Sequence, residues 1–172
     1  DKPLTLRNAL IIELLLSTGL RVSELSNIKI DDMDLKNNEI RVMGKGSKER
    51  VVYYRESTKN KLYYYFKDGR SSLLNGKYSP YLFVNNNGGK LTDRGVRYII
   101  EGIIKKCSIN VRVTPHTFRH TFATMLLNVG CDIRSVQELL GHANLNTTSI
   151  YTHLTNETIR KTYLNAHPHG KY

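Results

Sequence analysis

Apolar residues recur at helical spacing over most of the chain. Residues 4–17 carry leucines and isoleucines three or four positions apart, and similar spacing continues over residues 22–28. Further helices are predicted over residues 57–67, 92–107, 115–128 and 132–140, over a short segment that includes Tyr151, and over residues 156–166. Thr92 and Asp132 are the expected N-caps of two of these helices, and Pro115 suits the first helical position of another.

Two segments interrupt this pattern with β-branched and aromatic residues. Residues 39–43 and 49–54 are typical of strands, and residues 44–47, with two glycines, are typical of the hairpin turn between them. A loop is expected over residues 69–80, followed by a short extended piece at residues 81–84. The predicted fold is therefore mainly α with a small antiparallel β-sheet near the N-terminal third, and the length suits one domain.

The charge of the chain indicates a polyanionic partner. There are 26 Lys and Arg residues against 15 Asp and Glu residues, which gives a formal charge of +11. An excess of this size is typical of proteins that bind nucleic acid. The basic residues are spread over many elements instead of forming one amphipathic stripe, which argues against a membrane surface. A basic surface that serves only solubility is the plainer interpretation of the charge.

Several features favour an intracellular protein. No apolar run approaches the roughly 18 residues of a membrane span, and residues 1–4 lack the basic start of a signal peptide. Cys107 and Cys131 are expected to be small buried thiols in a reduced environment. We therefore expect a cytoplasmic, nucleoid-associated location. Because the chain does not begin with Met, we also expect it to be part of a longer protein.

The residues with the clearest chemistry form a set that suits one anion. The set consists of His116, Arg119, His142 and Tyr151 late in the chain and of Arg21 and Lys45 far upstream. Phosphodiester chemistry without a metal needs fixed positive donors for the non-bridging oxygens and an oxygen nucleophile that stays bound to the product. A basic chain that carries this set is expected to cut and rejoin nucleic acid.

Each member of the set also has a plainer interpretation. Arg21 and Glu24 are three residues apart and are equally consistent with a surface ion pair. Lys45 suits a solvated hairpin tip, His142 suits a helix cap, and Tyr151 suits a packing residue. The functional interpretation therefore depends on their occurring together.

His116 and His120 are four residues apart on a predicted helix, which is the spacing of a metal-binding pair. However, Thr117 stands where a zinc protease with this spacing carries its glutamate, and Arg119 would repel a divalent cation. We therefore prefer His116 and Arg119 as the functional pair, since both lie on one helical face. His120 is expected to be hydrogen-bonded inside the fold.

Four motifs surround these residues. They are TGLRVSEL at residues 18–25, GKGSKER at 44–50, PHTFRH at 115–120 and LLGHANLNTTSIYTH at 139–153. In combination they resemble the tyrosine recombinases, or phage-type integrases, and in particular the Xer-like site-specific recombinases. The resemblance implies that residues 1–172 form the catalytic domain of that family, and that the family's N-terminal core-binding domain is absent from the chain.

The resemblance also implies a role for each candidate residue. The implied active-site residues are Arg21, Lys45, His116, Arg119, His142 and Tyr151, with Glu24 as a supporting acid. Tyr151 is the implied nucleophile, which would form a 3′-phosphotyrosyl bond and release a 5′-hydroxyl. The residues expected on DNA-binding surfaces are Lys48, Thr92, Arg94 and Arg97.

The implied partner is double-stranded DNA with a specific recombination site, bound by a tetramer of protomers on paired sites. The implied chemistry requires no metal, ATP or other cofactor. Residues 156–172 are expected to pack either on a neighbouring protomer or on their own core. Three alternatives stay open: a type IB topoisomerase, a non-catalytic DNA-binding module, and a metal-dependent nuclease that uses Asp31, Asp32 and Asp34.

Overall fold

The structure is a computed structural model that describes residues 2–107, 113–128 and 130–141. The helices are α1 (Lys2–Thr18), α2 (Val22–Asn27), α3 (Glu56–Tyr64), α4 (Ser71–Leu74), α5 (Asp93–Lys106), α6 (Pro115–Asn128) and α7 (Ile133–Leu140). The strands are β1 (Met33–Asp34), β2 (Glu39–Met43) and β3 (Glu49–Tyr53). This architecture confirms the predicted fold class. The helices predicted around Tyr151 and over residues 156–166 lie outside the described residues.

The helix boundaries follow the capping chemistry of the sequence. The Thr92 hydroxyl accepts a hydrogen bond from a backbone N–H in the first turn of α5 at 3.2 Å. The Asp132 carboxylate does the same for α7 at 2.9 Å. Helix α6 begins at Pro115, and α7 ends at Gly141 in the left-handed conformation. These predictions are confirmed.

The sheet has three antiparallel strands in the order β1-β2-β3. In the predicted hairpin, Glu39 of β2 pairs with Tyr53 of β3, and the 3₁₀ turn Lys45–Ser47 forms the tip. Strand β1 is missing from the sequence-based prediction, because its two residues are too few to show alternation. It pairs with the start of β2, with Met33 opposite Ile40.

Helical structure continues further after α3 than the sequence predicts. A π-helical turn, Tyr65–Arg70, joins α3 to α4, so the loop predicted over residues 69–80 is wrong over its first part. Gly69 does not break the helix because it is closely packed: a Cβ there would lie 2.8 Å from the Tyr65 ring. Arg70 then donates hydrogen bonds to backbone carbonyls of Ser79, Tyr81 and Leu82, which fixes the helical segment against the extended piece.

Two clusters of buried side chains form the core. The larger one packs α1 against α2, the sheet, α3 and α5, with Leu10, Ile11, Leu14 and Leu15 contributed by α1. The smaller one packs α6 and α7 against the end of β3. Its members are Tyr53, Phe122, Leu126, Cys131, Val136 and Leu140.

Gly19 is the point where the smaller cluster meets the end of α1. Its φ is +66°, and a Cβ at this position would lie 2.5 Å from a ring carbon of Phe122 and 2.7 Å from a methyl carbon of Leu140. The glycine therefore both takes the left-handed turn after α1 and lets α6 and α7 approach its backbone. This close approach brings the C-terminal ends of α1 and α7 together.

The surface of the fold corrects one prediction. Cys131 is buried as expected, but Cys107 is exposed, because it lies at the C-terminal cap of α5 beyond the buried residues of that helix. Among the residues that the structure describes, no helix has the length and apolar character needed to cross a bilayer.

Replacement of Gly19 by Ala should lower the free energy of unfolding by about 2–4 kcal/mol, because the methyl group combines left-handed strain with overlap on Phe122 and Leu140. The matched control is Gly76→Ala, whose φ is +79° and whose Cβ would meet open space. That variant should lose only about 1 kcal/mol. Urea unfolding of both variants measures the difference, and equal losses would contradict the close packing at Gly19.

Candidate functional site

Arg119 occupies the centre of the candidate site. It lies on the buried face of α6 with Phe122 and Leu126. Its Nη1 donates a hydrogen bond to the carbonyl of Gly19 at 2.9 Å, and its Nη2 donates one to the carbonyl of Leu140. These carbonyls belong to the C-terminal ends of α1 and α7, where helix carbonyls lack partners and the helix dipole favours a positive charge.

The position of the Arg119 guanidinium is electrostatically unfavourable. Burial, together with the nearby positive charges of Arg21 and Arg50, lowers the pKa of its guanidinium to about 10, while Glu24 opposes the shift. The group is therefore still charged at neutral pH but is poorly compensated. An anion bound beside it would relieve this repulsion. Within the described chain, the two carbonyls engage two of the five N–H donors, so donors remain for such an anion.

Arg21 and Glu24 form the second part of the site, at the start of α2. The backbone N–H of Arg21 donates to Oε2 of Glu24 at 2.8 Å, and its Nη1 donates to Oε1 at 3.2 Å. The predicted contact between the two residues is confirmed. Glu24 is buried, whereas 36% of the Arg21 side chain is exposed, so the guanidinium is held at its base but accessible at the surface.

Arg50 on β3 completes the shell of Glu24. Its Nη1 and Nη2 donate to Oε1 and Oε2 of the carboxylate at 2.5 and 3.0 Å, which is a two-pronged ion pair. Burial alone would raise the pKa of Glu24, but the hydrogen bonds and charge of Arg50, followed by those of Arg21, outweigh it and lower the pKa below 4.5. In the described part of the chain, Arg21 and Arg50 thus pair with this carboxylate and Arg119 interacts with its charge, so the four groups carry a formal excess of two positive charges.

Lys45 lies exposed at the tip of the β2–β3 hairpin. The hairpin closes through a hydrogen bond from the backbone N–H of Gly44 to the carbonyl of Lys48 at 2.8 Å. A Cβ on Gly44 would lie 3.5 Å from Nη1 of Arg50 and 3.7 Å from Oε1 of Glu24. Gly44, at the base of the hairpin tip, therefore lies next to the ion pair of Arg50 and Glu24, and Glu24 also binds Arg21.

The two histidines of α6 differ from the prediction in one respect. His116 lies exposed in the first turn of α6, three residues before Arg119, as a residue that meets a ligand from solvent would. His120 is also exposed, so its predicted place inside the fold is wrong. The buried face of α6 follows Arg119, Phe122 and Leu126, and His120 lies off that face.

The residues expected to bind DNA lie on the surface. Lys48 is exposed beside the hairpin tip, and Thr92, Arg94 and Arg97 are exposed at the start of α5. Helix α5 is fixed to α2 there, because the hydroxyl of Ser26 donates a hydrogen bond to Asp93. The Thr92 hydroxyl caps α5.

His142 and Tyr151 lie outside the described residues. The structure describes the chain as far as Gly141, which follows the Leu140 carbonyl that Arg119 holds. A Cβ on Gly141 would lie 3.0 Å from Cδ, Nε and Cζ of Arg50. The point from which the chain continues to His142 is thus held by two guanidiniums.

The arrangement of Arg21 and Arg119, with Arg50 paired to Glu24 behind them, suits the binding of a phosphate-like anion at a surface that leads from α2 to α6. Guanidiniums fixed by buried partners need little reorganisation when charge develops nearby. Over the described ranges there is no group of three His, Cys, Asp or Glu residues that would suit a metal ion. The carboxylates of Asp32 and Asp34 accept backbone hydrogen bonds in local turns, from Lys29 and Asn37 respectively.

Sequence reasoning misses the part that Arg50 takes in the site. The residue appears in the sequence as one more charge beside the hairpin tip, 26 residues from its carboxylate partner. One available signal is its position in a strand: alternation along β3 places it on the face opposite to its neighbours Glu49 and Val51.

Comparison with known proteins places these residues in a family. A model described as the phage integrase family matches residues 1–158. A tyrosine recombinase XerC from Bacillus pumilus (strain SAFR-032) is 50% identical over 169 residues, which are 96% of this chain and 55% of that protein.

Solved structures agree with this match. The crystal structure of XerA recombinase is similar with a TM-score of 0.74 and 40% identity, over 95% of this chain and 59% of that one. A pre-cleavage complex of XerH site-specific recombinase with its difH substrate has a TM-score of 0.72 and 33% identity, over 92% of this chain and 46% of that one. The chain thus spans little more than half the length of the curated relatives that it matches.

Replacement of Glu24 by Gln should destabilise the protein at neutral pH and flatten its stability profile in acid. The folded pKa of Glu24 is lowered, so its contribution is fully present above about pH 4.5 and is lost as the pH falls through the folded pKa. The measurement is the free energy of unfolding in urea between about pH 3 and 7. Glu101→Gln, at an exposed position of α5, controls for the removal of a charge. A Glu24→Gln profile parallel to wild type would contradict the buried ion pairs.

Proposed function

Because the chain belongs to the phage integrase family, we propose that it carries the catalytic machinery of a site-specific DNA recombinase that cuts and rejoins strands through a phosphotyrosyl bond. The observation that carries the proposal is the cluster of Arg21, Arg50 and Arg119 around the single carboxylate of Glu24. This excess of fixed positive charge matches the pentavalent phosphorus intermediate, on which negative charge increases during the reaction.

The proposed reaction begins with Tyr151. Its phenol oxygen attacks a backbone phosphorus, a new oxygen–phosphorus bond forms, and the bond to the 5′-oxygen of the next nucleotide breaks. His116 accepts the phenol proton, and Lys45 supplies a proton to the departing 5′-oxygen. A free tyrosine has a pKa of about 10, so the neighbouring cations are needed to lower the free energy of its anion.

The remaining cations stabilise the intermediate. Arg21, Arg119 and His142 donate to the non-bridging oxygens, and Glu24 holds Arg21 in place. One phosphate ester replaces another, so the bond free energy is kept in the phosphotyrosyl linkage. A 5′-hydroxyl from a partner strand then reverses the attack and rejoins the DNA without ATP.

The proposed partner is double-stranded DNA that carries a recombination site. The formal charge of +11 supports this partner, as does the similarity to XerH, whose solved structure contains its difH substrate. Lys48, Thr92, Arg94 and Arg97 contact the DNA outside the reacting phosphate. Strand exchange between two sites requires four protomers, one for each cut strand, and it takes place in the cytoplasm at the nucleoid.

The protein should form a covalent adduct with a nicked duplex, through Tyr151. The duplex is first selected from random-sequence DNA, as the sequence that forms an adduct with the wild-type protein. Cleavage next to the nick releases a short fragment, so the strand cannot be rejoined and the covalent intermediate accumulates. The adduct should appear in EDTA, as a band that resists denaturation in SDS. Tyr151→Phe should abolish it and leave the dissociation constant within about twofold, because a phenol oxygen adds little to phosphate attraction.

The control for this experiment is Tyr98→Phe, since Tyr98 is 77% exposed on α5. Its adduct yield should equal that of the wild-type protein. An undiminished yield in Tyr151→Phe would remove Tyr151 from the nucleophile role. Cleavage that leaves no adduct and stops in EDTA would favour the metal-dependent nuclease, because metal-activated water forms no bond between protein and DNA.

Replacement of Lys45 by Ala should slow cleavage of an ordinary phosphodiester by about 10²-fold or more, the scale of positioned proton transfer. A substrate with sulfur at the 5′-bridging position releases a thiolate that needs no proton, so the variant should cleave it at close to the wild-type rate. Single-turnover cleavage of both substrates makes the comparison.

The matched control is Lys48→Ala, three residues away on the same hairpin. It should weaken DNA binding and reduce the salt dependence of the dissociation constant, since one phosphate contact is lost. At saturating DNA it should cleave both substrates at near wild-type rates. An equal defect of Lys45→Ala on the two substrates would assign Lys45 to binding alone.

A further inference from the structure

Arg50 is the residue of the site to which sequence and family give no catalytic role, yet its side chain lies between Glu24 and the backbone of Gly141. Its side chain is 13% exposed, and both of its terminal nitrogens are directed at Glu24. A guanidinium engaged in this way is poorly placed to bind a phosphate. Its position instead suits the orientation of other groups.

Three separate parts of the chain meet at this side chain. Glu24 belongs to α2, which begins beside Arg21. Gly44 belongs to the hairpin, and a Cβ there would lie 3.5 Å from Nη1 of Arg50. Gly141 ends α7, and a Cβ there would lie 3.0 Å from the Arg50 side chain. At Gly141 the absence of a side chain therefore lets the backbone approach the planar group closely, while at Gly44 the distance is that of ordinary packing.

The hairpin has no other support of this kind near its tip in the described part of the chain. The residues of the tip are exposed, and a Cβ on Gly46 would meet nothing within 4 Å. The direction of the tip is therefore set at its base, where Gly44 rests on the pair of Arg50 and Glu24. A rotation of the backbone at Gly44 would displace the long side chain of Lys45, which is the next residue.

We propose that Arg50 is a positioning residue. It fixes the position of the β2–β3 hairpin relative to Glu24 and Gly141, so that the ammonium group of Lys45 reaches the departing 5′-oxygen. This inference rests on the proposed function. Arg50 does not touch the reacting phosphate. It affects the rate of cleavage by setting the position of Lys45.

A lysine cannot substitute for this arginine. Arg50→Lys keeps the positive charge for Glu24 but replaces a planar fork by a single ammonium, which loses the two-pronged pair and the planar group beside Gly141. The protein should stay folded, because the carboxylate keeps a cationic neighbour. The base of the hairpin should become loose.

Arg55→Lys is the matched control. Arg55 follows the other end of β3, is 16% exposed, and donates to Oε1 of Glu13 at 2.7 Å. It therefore makes a similarly buried arginine–carboxylate pair just beyond the same strand, away from the hairpin tip. A change that acts only through stability should appear equally in both variants.

The experiment measures thermal unfolding, DNA affinity and single-turnover cleavage for both variants. Cleavage is measured on the nicked duplex selected with the wild-type protein, once with an ordinary phosphodiester and once with sulfur at the 5′-bridging position. Arg50→Lys should unfold within a few degrees of Arg55→Lys and bind DNA within about threefold of wild type. Its cleavage of the ordinary substrate should fall by at least about tenfold, and the sulfur substrate should restore most of that loss. Adding Arg50→Lys to Lys45→Ala should cause no further loss.

Two results would overturn the inference. One is that Arg50→Lys cleaves the ordinary substrate at the same rate as Arg55→Lys. The other is an equal loss on both substrates, since Arg50 would then act on the phosphate and not through Lys45. If the wild-type protein forms no adduct at all, the proposed function fails first and this inference fails with it. A defect confined to the variants concerns Arg50 alone.

A second variant tests the inference if Arg50→Lys does not unfold cooperatively. Gly141→Ala leaves Arg50 in place but sets a methyl group against its guanidinium. It should show the same loss on the ordinary substrate and the same recovery with sulfur. Wild-type cleavage by that variant, or a loss that sulfur does not restore, would contradict the coupling.

Discussion

The guanidinium of Arg119 joins the C-terminal ends of α1 and α7 through the carbonyls of Gly19 and Leu140. Helix ends of this polarity repel each other, and a shared positive charge between them reverses the sign of the interaction. Hydrogen bonds that involve a charged group stabilise a fold by roughly 1.5–3 kcal/mol each. The packing of the smaller core cluster on α1 depends on this bridge, and so does the place where the chain leaves α7. The proposed phosphate-binding group is thus also a structural one.

Glu24 offsets the repulsion among the guanidiniums of the site. Without its carboxylate, Arg21, Arg50 and Arg119 would face one another in a partly buried space, at a considerable electrostatic cost. With it, the cluster is stable enough to stay ordered but keeps a positive excess. A phosphate bound at the proposed site would supply the missing negative charge. On this proposal the site is arranged before its ligand arrives, and little of the binding free energy is needed to order it.

Local signals in the sequence predict much of this structure. The caps at Thr92 and Asp132 and the β2–β3 hairpin depend on residues a few positions apart, and they are confirmed. The contact of Arg21 with Glu24 also spans three residues and is confirmed.

What the sequence does not predict depends on partners far away in the chain. Strand β1 exists because β2 pairs with it, and the π-helical turn after α3 is held by the packing of Gly69 on Tyr65 and by carbonyls near residue 80. Arg50 finds Glu24 across 26 residues, which no periodicity reveals. The exposure of His120 follows from which face of α6 is buried, and that face carries Arg119, Phe122 and Leu126.

The separation of the cations into two environments also bears on how the protein responds to its ionic surroundings. Lys48, Arg94 and Arg97 are exposed, and at physiological salt their field is screened within about 8 Å. Arg50 and Arg119 are shielded from solvent, so counterions barely reach them. On the proposed function, salt should therefore change how often and how long the protein meets DNA, while the charge that Arg119 offers to a bound phosphate should be much the same in dilute and concentrated buffer.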